Sequence, residues 1–183
     1  MTRIGLISRS RKRRLGVIVE GILAGAAGTA AMTAHQELRQ RFAGENGRDS
    51  ARPSPASGEG DPWESAPAPA QVGKRLIEGL GGGPVPAEAI PALTHAMHWS
   101  YGSAWGGVYA TTRESAGASA RLLGPLFGLG VWAASYIQLV PLGIYQPPWC
   151  YPLRSIADEI AYHLTFGIAV GATYEVLARR DRA

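Results

Sequence analysis

Four stretches of the chain are apolar over lengths suited to a helix that crosses a bilayer, which takes roughly 20 residues. The first, 15–34 (LGVIVEGILAGAAGTAAMTA), contains one charged residue, Glu20, and small residues at Gly21, Ala24, Gly25 and Gly28. The second, 91–111, is built around HAMHWSYGSAWGGVYA and follows Pro86 and Pro91, either of which suits a first helical turn. The third, 122–140, carries Pro125 near its start, where a membrane helix tolerates it, and Pro141 helps to end it. The fourth, 156–177, runs up to Ala178, Arg179 and Arg180. From Arg121 to Arg154 the only ionisable side chains between the two arginines are Cys150 and tyrosines, a charge-free length that a soluble core helix rarely has.

The segments between these stretches have a different pattern. Residues 35–85 form a polar extracytoplasmic loop, in which the helix of the first stretch continues to about Phe42. Residues 44–73 are rich in Gly, Ser, Pro, Ala and charge, a composition that predicts disorder. Within 70–80 (AQVGKRLIEGL) apolar and charged residues alternate at helical spacing up to the glycines at 81–83, which predicts an interfacial amphipathic helix. PLGIYQPPWCYP, with four prolines, is a turn suited to the membrane interface. The fold class that follows is all-α: an integral membrane bundle of about four transmembrane helices with a long, partly disordered first extramembrane loop.

Composition changes this picture little, because 46% apolar and 17% charged residues in 183 are compatible with a globular domain. Charge placement matters more. Arg9, Arg11, Lys12, Arg13 and Arg14 abut the first apolar stretch, and the chain ends in Arg179, Arg180 and Arg182. Such flanking clusters mark the cytoplasmic side, so 1–14 and 178–183 are expected to be basic cytoplasmic tails of a bacterial inner-membrane protein. Arg113 and Arg121, in the short second connection, agree. The same cluster is placed for a lipid surface rather than for nucleic acid. The expected partners are the bilayer and either a second copy or another membrane protein. A cleaved secretory signal is the competing assignment for the first stretch, although Glu20 and the full span length count against it. The single cysteine, Cys150, excludes an internal disulfide.

Antiparallel spans assign a depth to each polar residue, at about 1.5 Å of rise per residue. His35, Gln36, His95, His98, Gln138, Asp158, Glu159 and His163 then fall toward the outer leaflet. His95, His98, Gly102, Trp105 and Tyr109 are spaced by three and four and share one broad face, as do Glu159 and His163. Three interpretations are open: interfacial hydrogen bonding, a proton-linked site made of His95, His98, Asp158, Glu159 and His163, or a metal or haem site through His98, Glu159 and His163. Glu20 lies toward the opposite side, at a depth comparable to Tyr109 and Glu175. Gly21, Gly25, Gly28, Gly102 and Gly106 are candidates for close helix packing. No Walker A loop, dinucleotide fingerprint, nucleophile elbow or zincin motif is present, so no enzyme and no cofactor are expected.

HWSYGSAWGGVY, with His98, Tyr101, Gly106 and Tyr109, and LGIYQPPWCYPLRSIADEIAYH, with Pro148, Trp149, Pro152, Glu159 and His163, together resemble the YagU-like family of bacterial inner-membrane proteins, a group defined by a domain of unknown function. The resemblance covers residues 95–165. It implies a multi-spanning inner-membrane protein with a link to acid or envelope-stress tolerance, and it supplies no catalytic residue.

Overall fold

A computed structural model describes residues 3–43, 61–116 and 120–180 of the chain. The disorder expected over 44–60 and the last residues of the basic tail, 181–183, lie outside the described residues, as do the side chains of the amino-terminal basic cluster. Among the described residues all regular structure is helical: α1 (Arg3–Ala43), α2 (Ala68–Gly79), α3 (Ile90–Ala116), α4 (Ala120–Leu139) and α5 (Leu153–Arg180), with short 3-10 turns at Ala87–Ala89 and Pro148–Cys150.

Among the described residues three helices contain segments long and apolar enough to cross a membrane: Leu15–Phe42 in α1, Leu122–Leu139 in α4 and Leu153–Arg179 in α5. By length and composition alone the candidate spans number three, where about four were expected. The stretch over 91–111 does form a long helix, α3, but Thr94, His95, His98, Ser100, Tyr101, Ser103, Thr111 and Thr112 lower its apolar content. The 41 residues of α1 reach about 60 Å, twice the hydrocarbon thickness, so the helix extends well beyond its apolar segment.

α1, α3, α4 and α5 pack as an up-down-up-down bundle, with α1 against both α3 and α5, α5 also against α4, and α3 and α4 meeting only locally. Successive positions along α1 face descending positions of its neighbours. Gly21 lies by Gly106 and Ala110, Gly25 by Ser103, and Thr33 by His98. On the other side Gly28 meets Val170 and Phe166, and His35 meets Thr165. Each pair is antiparallel, so α1 and α4 point one way and α3 and α5 the other.

Glycine sets the closeness of these contacts. A Cβ at Gly21 would lie 2.6 Å from the Gly106 carbonyl oxygen, and one at Gly25 would lie 2.9 Å from the Gly106 and Ser103 Cα atoms. Gly102 is the position where the buried Thr29 side chain enters α3. A second seam of the same kind joins α4 to α5 through Gly124, Gly128 and Gly167; a Cβ at Gly124 would sit 2.8 Å from the Gly167 carbonyl oxygen. With little hydrophobic drive between helices in lipid, such backbone proximity and the dispersion contacts around it carry the association. The apolar core runs along the middle: Ala24, Met32, Tyr109, Ala110, Val131, Phe166, Val170, Tyr174 and Ala178. Leu15, Val19, Leu23, Leu126, Ile137, Ile168 and Val176 stay exposed on the outside, where lipid would cover them.

Residues 61–73, for which disorder was expected, are ordered. The Asp61 carboxylate accepts from the Trp63 backbone N–H at 3.0 Å, and Trp63, Ala66 and Ala70 form a small core with Val85, Ile90 and Leu93. α2 lies against α3, its Gly73 close to Met97 and Leu93. Just past its end, Gly81, with a φ of 85°, turns the chain back so that the Gly82 N–H reaches the Ile77 carbonyl at 2.9 Å. Glu78 closes this hairpin, accepting from the Val85 N–H and from Lys74 Nζ, each at 3.2 Å. The Val85 bond first, then Lys74, holds the Glu78 carboxyl below its usual range. Arg75 donates to the Leu142 carbonyl, tying α2 to the α4–α5 connection.

Candidate functional site

The carboxyl-terminal ends of α1 and α4 meet the amino-terminal ends of α3 and α5 at one end of the bundle, here the histidine end. The antiparallel packing brings His35 and Arg39 of α1, His98 of α3, Tyr136 of α4, and Asp158, Glu159, Tyr162, His163 and Thr165 of α5 to this end. His95 is exposed at the start of α3.

The contacts are specific. Arg39 pairs with Asp158, whose side chain is 20% exposed. The Tyr136 hydroxyl donates to Glu159 Oε2 at 2.7 Å, in the short range of charge-assisted bonds. His163 Nδ1 lies 2.8 Å from the Glu159 backbone carbonyl. A carbonyl only accepts, so this nitrogen bears the hydrogen and Nε2 of the neutral ring keeps its lone pair. Thr165 donates its hydroxyl hydrogen to the Ala161 carbonyl at 3.0 Å, and His35 Nδ1 therefore donates to Thr165 Oγ1 at 2.8 Å. Tyr162 stacks edge-on against His35 with centroids 5.0 Å apart. His98 Nε2 is 3.4 Å from Thr33 Oγ1.

Of the residues singled out from the sequence, His98, Asp158, Glu159 and His163 come to one end, with His95 at its rim. Glu159 and His163 share a helix face, with His163 turned to the backbone carbonyl of Glu159. Among the described residues no three His, Cys, Asp or Glu side chains form a group that could hold a metal ion, so His98, Glu159 and His163 do not make up a ligand set. Arg39, Thr33, Tyr136, Tyr162 and Thr165 were not among the candidates. Depth matching could have found Arg39, a cation one turn past His35 on the helix facing Asp158. The aromatic wall behind Glu159 is Tyr136, with Trp132, Tyr145 and Tyr151 at centroid distances of 5.5, 5.4 and 6.2 Å.

The opposite, arginine end has its own polar cluster. Arg113 donates from Nε and Nη2 to Glu175 Oε1 at 3.0 and 2.8 Å, and the Tyr174 hydroxyl reaches Glu114 Oε1 at 3.3 Å. Between the two ends lie Ala24, Thr29, Gly102, Phe166 and Val170, with the Thr29 hydroxyl bonded to the Gly25 carbonyl at 2.9 Å. That middle layer is tightly packed and carries no charge. No family model, curated protein or solved structure matches the chain.

Proposed function

We propose that the protein crosses the bacterial inner membrane four times and acts there without catalysis, as an acid- or envelope-stress tolerance protein whose histidine end is a proton-responsive site on the outer side. Support for the fourth crossing comes from helix direction. α1 and α4 are both apolar spans and run parallel, so the chain has to return across the membrane between them. α3 is antiparallel to α1, packs along it, and at 27 residues is long enough. Its polar residues are partly taken up by packing, as at Thr94, bonded to the Ile90 carbonyl, and at His98.

The orientation is supported by Arg113, Arg179 and the basic amino-terminal cluster, which share the end opposite the histidines. Two cysteines introduced into a Cys150→Ser background test it: Leu80→Cys before α3 and Ser115→Cys at its end. A membrane-impermeant maleimide on intact cells stripped of their outer membrane is expected to label Leu80→Cys, as it labels Cys150 of the unsubstituted chain, and to reach Ser115→Cys only after the inner membrane is opened. Equal access to Leu80→Cys and Ser115→Cys would remove the crossing of α3.

The proton-responsive role is carried by the convergence of His98, His163 and His95 with Asp158 and Glu159 at one end. Imidazole titrates near pH 6.5, within the range over which an acidified periplasm moves. Protonation adds positive charge around His98 and works against the bundle end, where Arg39 is already present. The resemblance to YagU-like proteins favours the same role. His163→Ala and Glu159→Ala are expected to reduce survival in acid medium while leaving growth at neutral pH unchanged. If both variants accumulate normally and survive acid as well as the parent, the acid role is lost.

A further inference from the structure

α2 carries more apolar surface than the bundle covers. Its inner side, at Ala70 and Gly73, is buried, with Gly73 against Leu93 and Met97 near the start of α3. Gln71, Lys74 and Glu78, spaced by three and four, form a polar edge. That edge is satisfied within its own segment: Gln71 Nε2 donates to the Ala66 carbonyl at 2.8 Å, and Lys74 reaches Glu78 and lies 5.5 Å from the Trp63 ring centroid. Pro69, Val72 and Leu76 follow the same spacing on nearly the opposite side of the helix, and Leu80 continues the row at its cap. Leu76 is 52% exposed and Leu80 80%. A helix with water on that side would carry polar residues there. The apolar residues of α2 are thus divided between α3 and an edge that no part of the bundle covers.

The open edge has neighbours of the same kind. Arg75, next to Leu76, donates to the Leu142 carbonyl and so joins α2 to the α4–α5 connection. That connection exposes Leu142, Trp149 and Leu153, the last two at 82% and 87%, and Ile137 in the last turn of α4 is exposed beside it. Its depth is set by the helices it links, because one apolar span ends at Leu139 and the next begins at Leu153. The connection therefore lies at the surface of the bilayer, and α2, tied to it three residues past the end of a span, lies there too.

We propose that α2 and the α4–α5 connection form one lipid-contacting collar at the histidine end, in which α2 lies in the plane of the membrane interface. Val72, Leu76 and Leu80 enter the acyl chains of the leaflet, and Gln71, Lys74 and Glu78 face water. Trp149 takes the headgroup level that tryptophan favours, and the Arg75 stem lies along the apolar edge with its guanidinium at the surface. The segment that leads to α2, 44–60, has no apolar side chain larger than proline and cannot supply the cover, whereas lipid already meets Ile137 on the adjoining face of α4. The collar rests on the spans of α4 and α5. It depends neither on the acid role nor on which side faces the cytoplasm.

A single spin-labelled cysteine at position 76, 142 or 71 of the full-length Cys150→Ser protein tests this in nanodiscs of phosphatidylethanolamine and phosphatidylglycerol. Power saturation reads collisions with dissolved oxygen, which concentrates in lipid, and with a water-soluble nickel chelate. Oxygen is expected to prevail at Leu76→Cys and Leu142→Cys and the chelate at Gln71→Cys, the ratios differing several-fold. A Leu76→Cys label as open to the chelate as the Gln71→Cys label puts the edge in water and overturns the proposal. A label shielded from both reagents marks a second copy or another protein in place of lipid, and overturns it as well. Should a cysteine variant fail to fold, lipids brominated near the glycerol end decide through native Trp149: they are expected to quench wild-type fluorescence more than that of Trp149→Phe, and equal quenching overturns the collar.

Discussion

Gly106→Val should leave little correctly assembled protein. A Cβ at Gly106 would stand 2.5 Å from the Gly25 Cα and nitrogen and press on the Gly21 carbonyl, and all three are backbone atoms of α1. No rotamer change relieves such a clash; α1 and α3 have to separate. Separation would also draw Thr29 from Gly102 and loosen the contact of Tyr109 and Ala110 with the core. Overpacking commonly costs about 1–3 kcal/mol where side chains can shift, so a clash of backbone on backbone is expected to cost at least about 3 kcal/mol. At a few degrees per kcal/mol for a chain of this size, the unfolding midpoint in detergent should fall by about 10 °C or more. Gly130→Val provides the contrast, since a Cβ there meets nothing within 4 Å. It is expected to stay within a few degrees of wild type. A Gly106→Val protein as stable as the Gly130 variant would mean that the α1–α3 seam is not where the bundle is held.

The second large effect concerns Arg113 and Glu175. Their side chains are 23% and 26% exposed, and both arginine nitrogens converge on one carboxylate oxygen. Removing one partner strands the other charge inside the bundle. Such a loss costs about 3–5 kcal/mol for fully buried pairs, and about 2 kcal/mol is expected here after discounting for the partial exposure. Arg113→Met and Glu175→Gln should each lower the midpoint, whereas the double variant should lose clearly less than the two together, with a coupling of about 1 kcal/mol or more. Additivity within about 0.5 kcal/mol would reduce the pair to two independent surface charges.

The sequence specified α4 most plainly, because it lies within the charge-free run between Arg121 and Arg154, where only Pro125 and the turn at Pro141 interrupt the apolar pattern. α3, expected as a span over 91–111, is the exception. Its length was legible, but the local hydropathy of a helix with His95, His98 and several hydroxyls does not qualify it as a span. Only the parallel direction of α1 and α4, a tertiary fact, argues that it crosses. The glycines of α1 and α3 stood out through their spacing of three and four. Gly124 and Gly128 are spaced by four on α4, facing Gly167 of α5, and were passed over. At the histidine end, the types of residue were legible and the partners were not. Arg39 and Asp158 are 119 residues apart, Tyr136 and Glu159 lie on different helices, and His163 turns to a backbone carbonyl that no residue pattern records.

The central place of α1 has a consequence for how the protein is made. It leaves the ribosome before its packing partners, α3 and α5, which are encoded on the far side of a long polar segment. At roughly 5–20 residues per second, on the order of ten seconds pass between the emergence of α1 and that of the part of α5 that covers Gly28. α4 and α5, by contrast, are joined by a short turn and can pair as soon as both exist. During synthesis α1 thus waits longest of these four bundle helices to be enclosed, and throughout that wait its glycine face and Glu20 lie open to whatever accompanies nascent chains in the membrane.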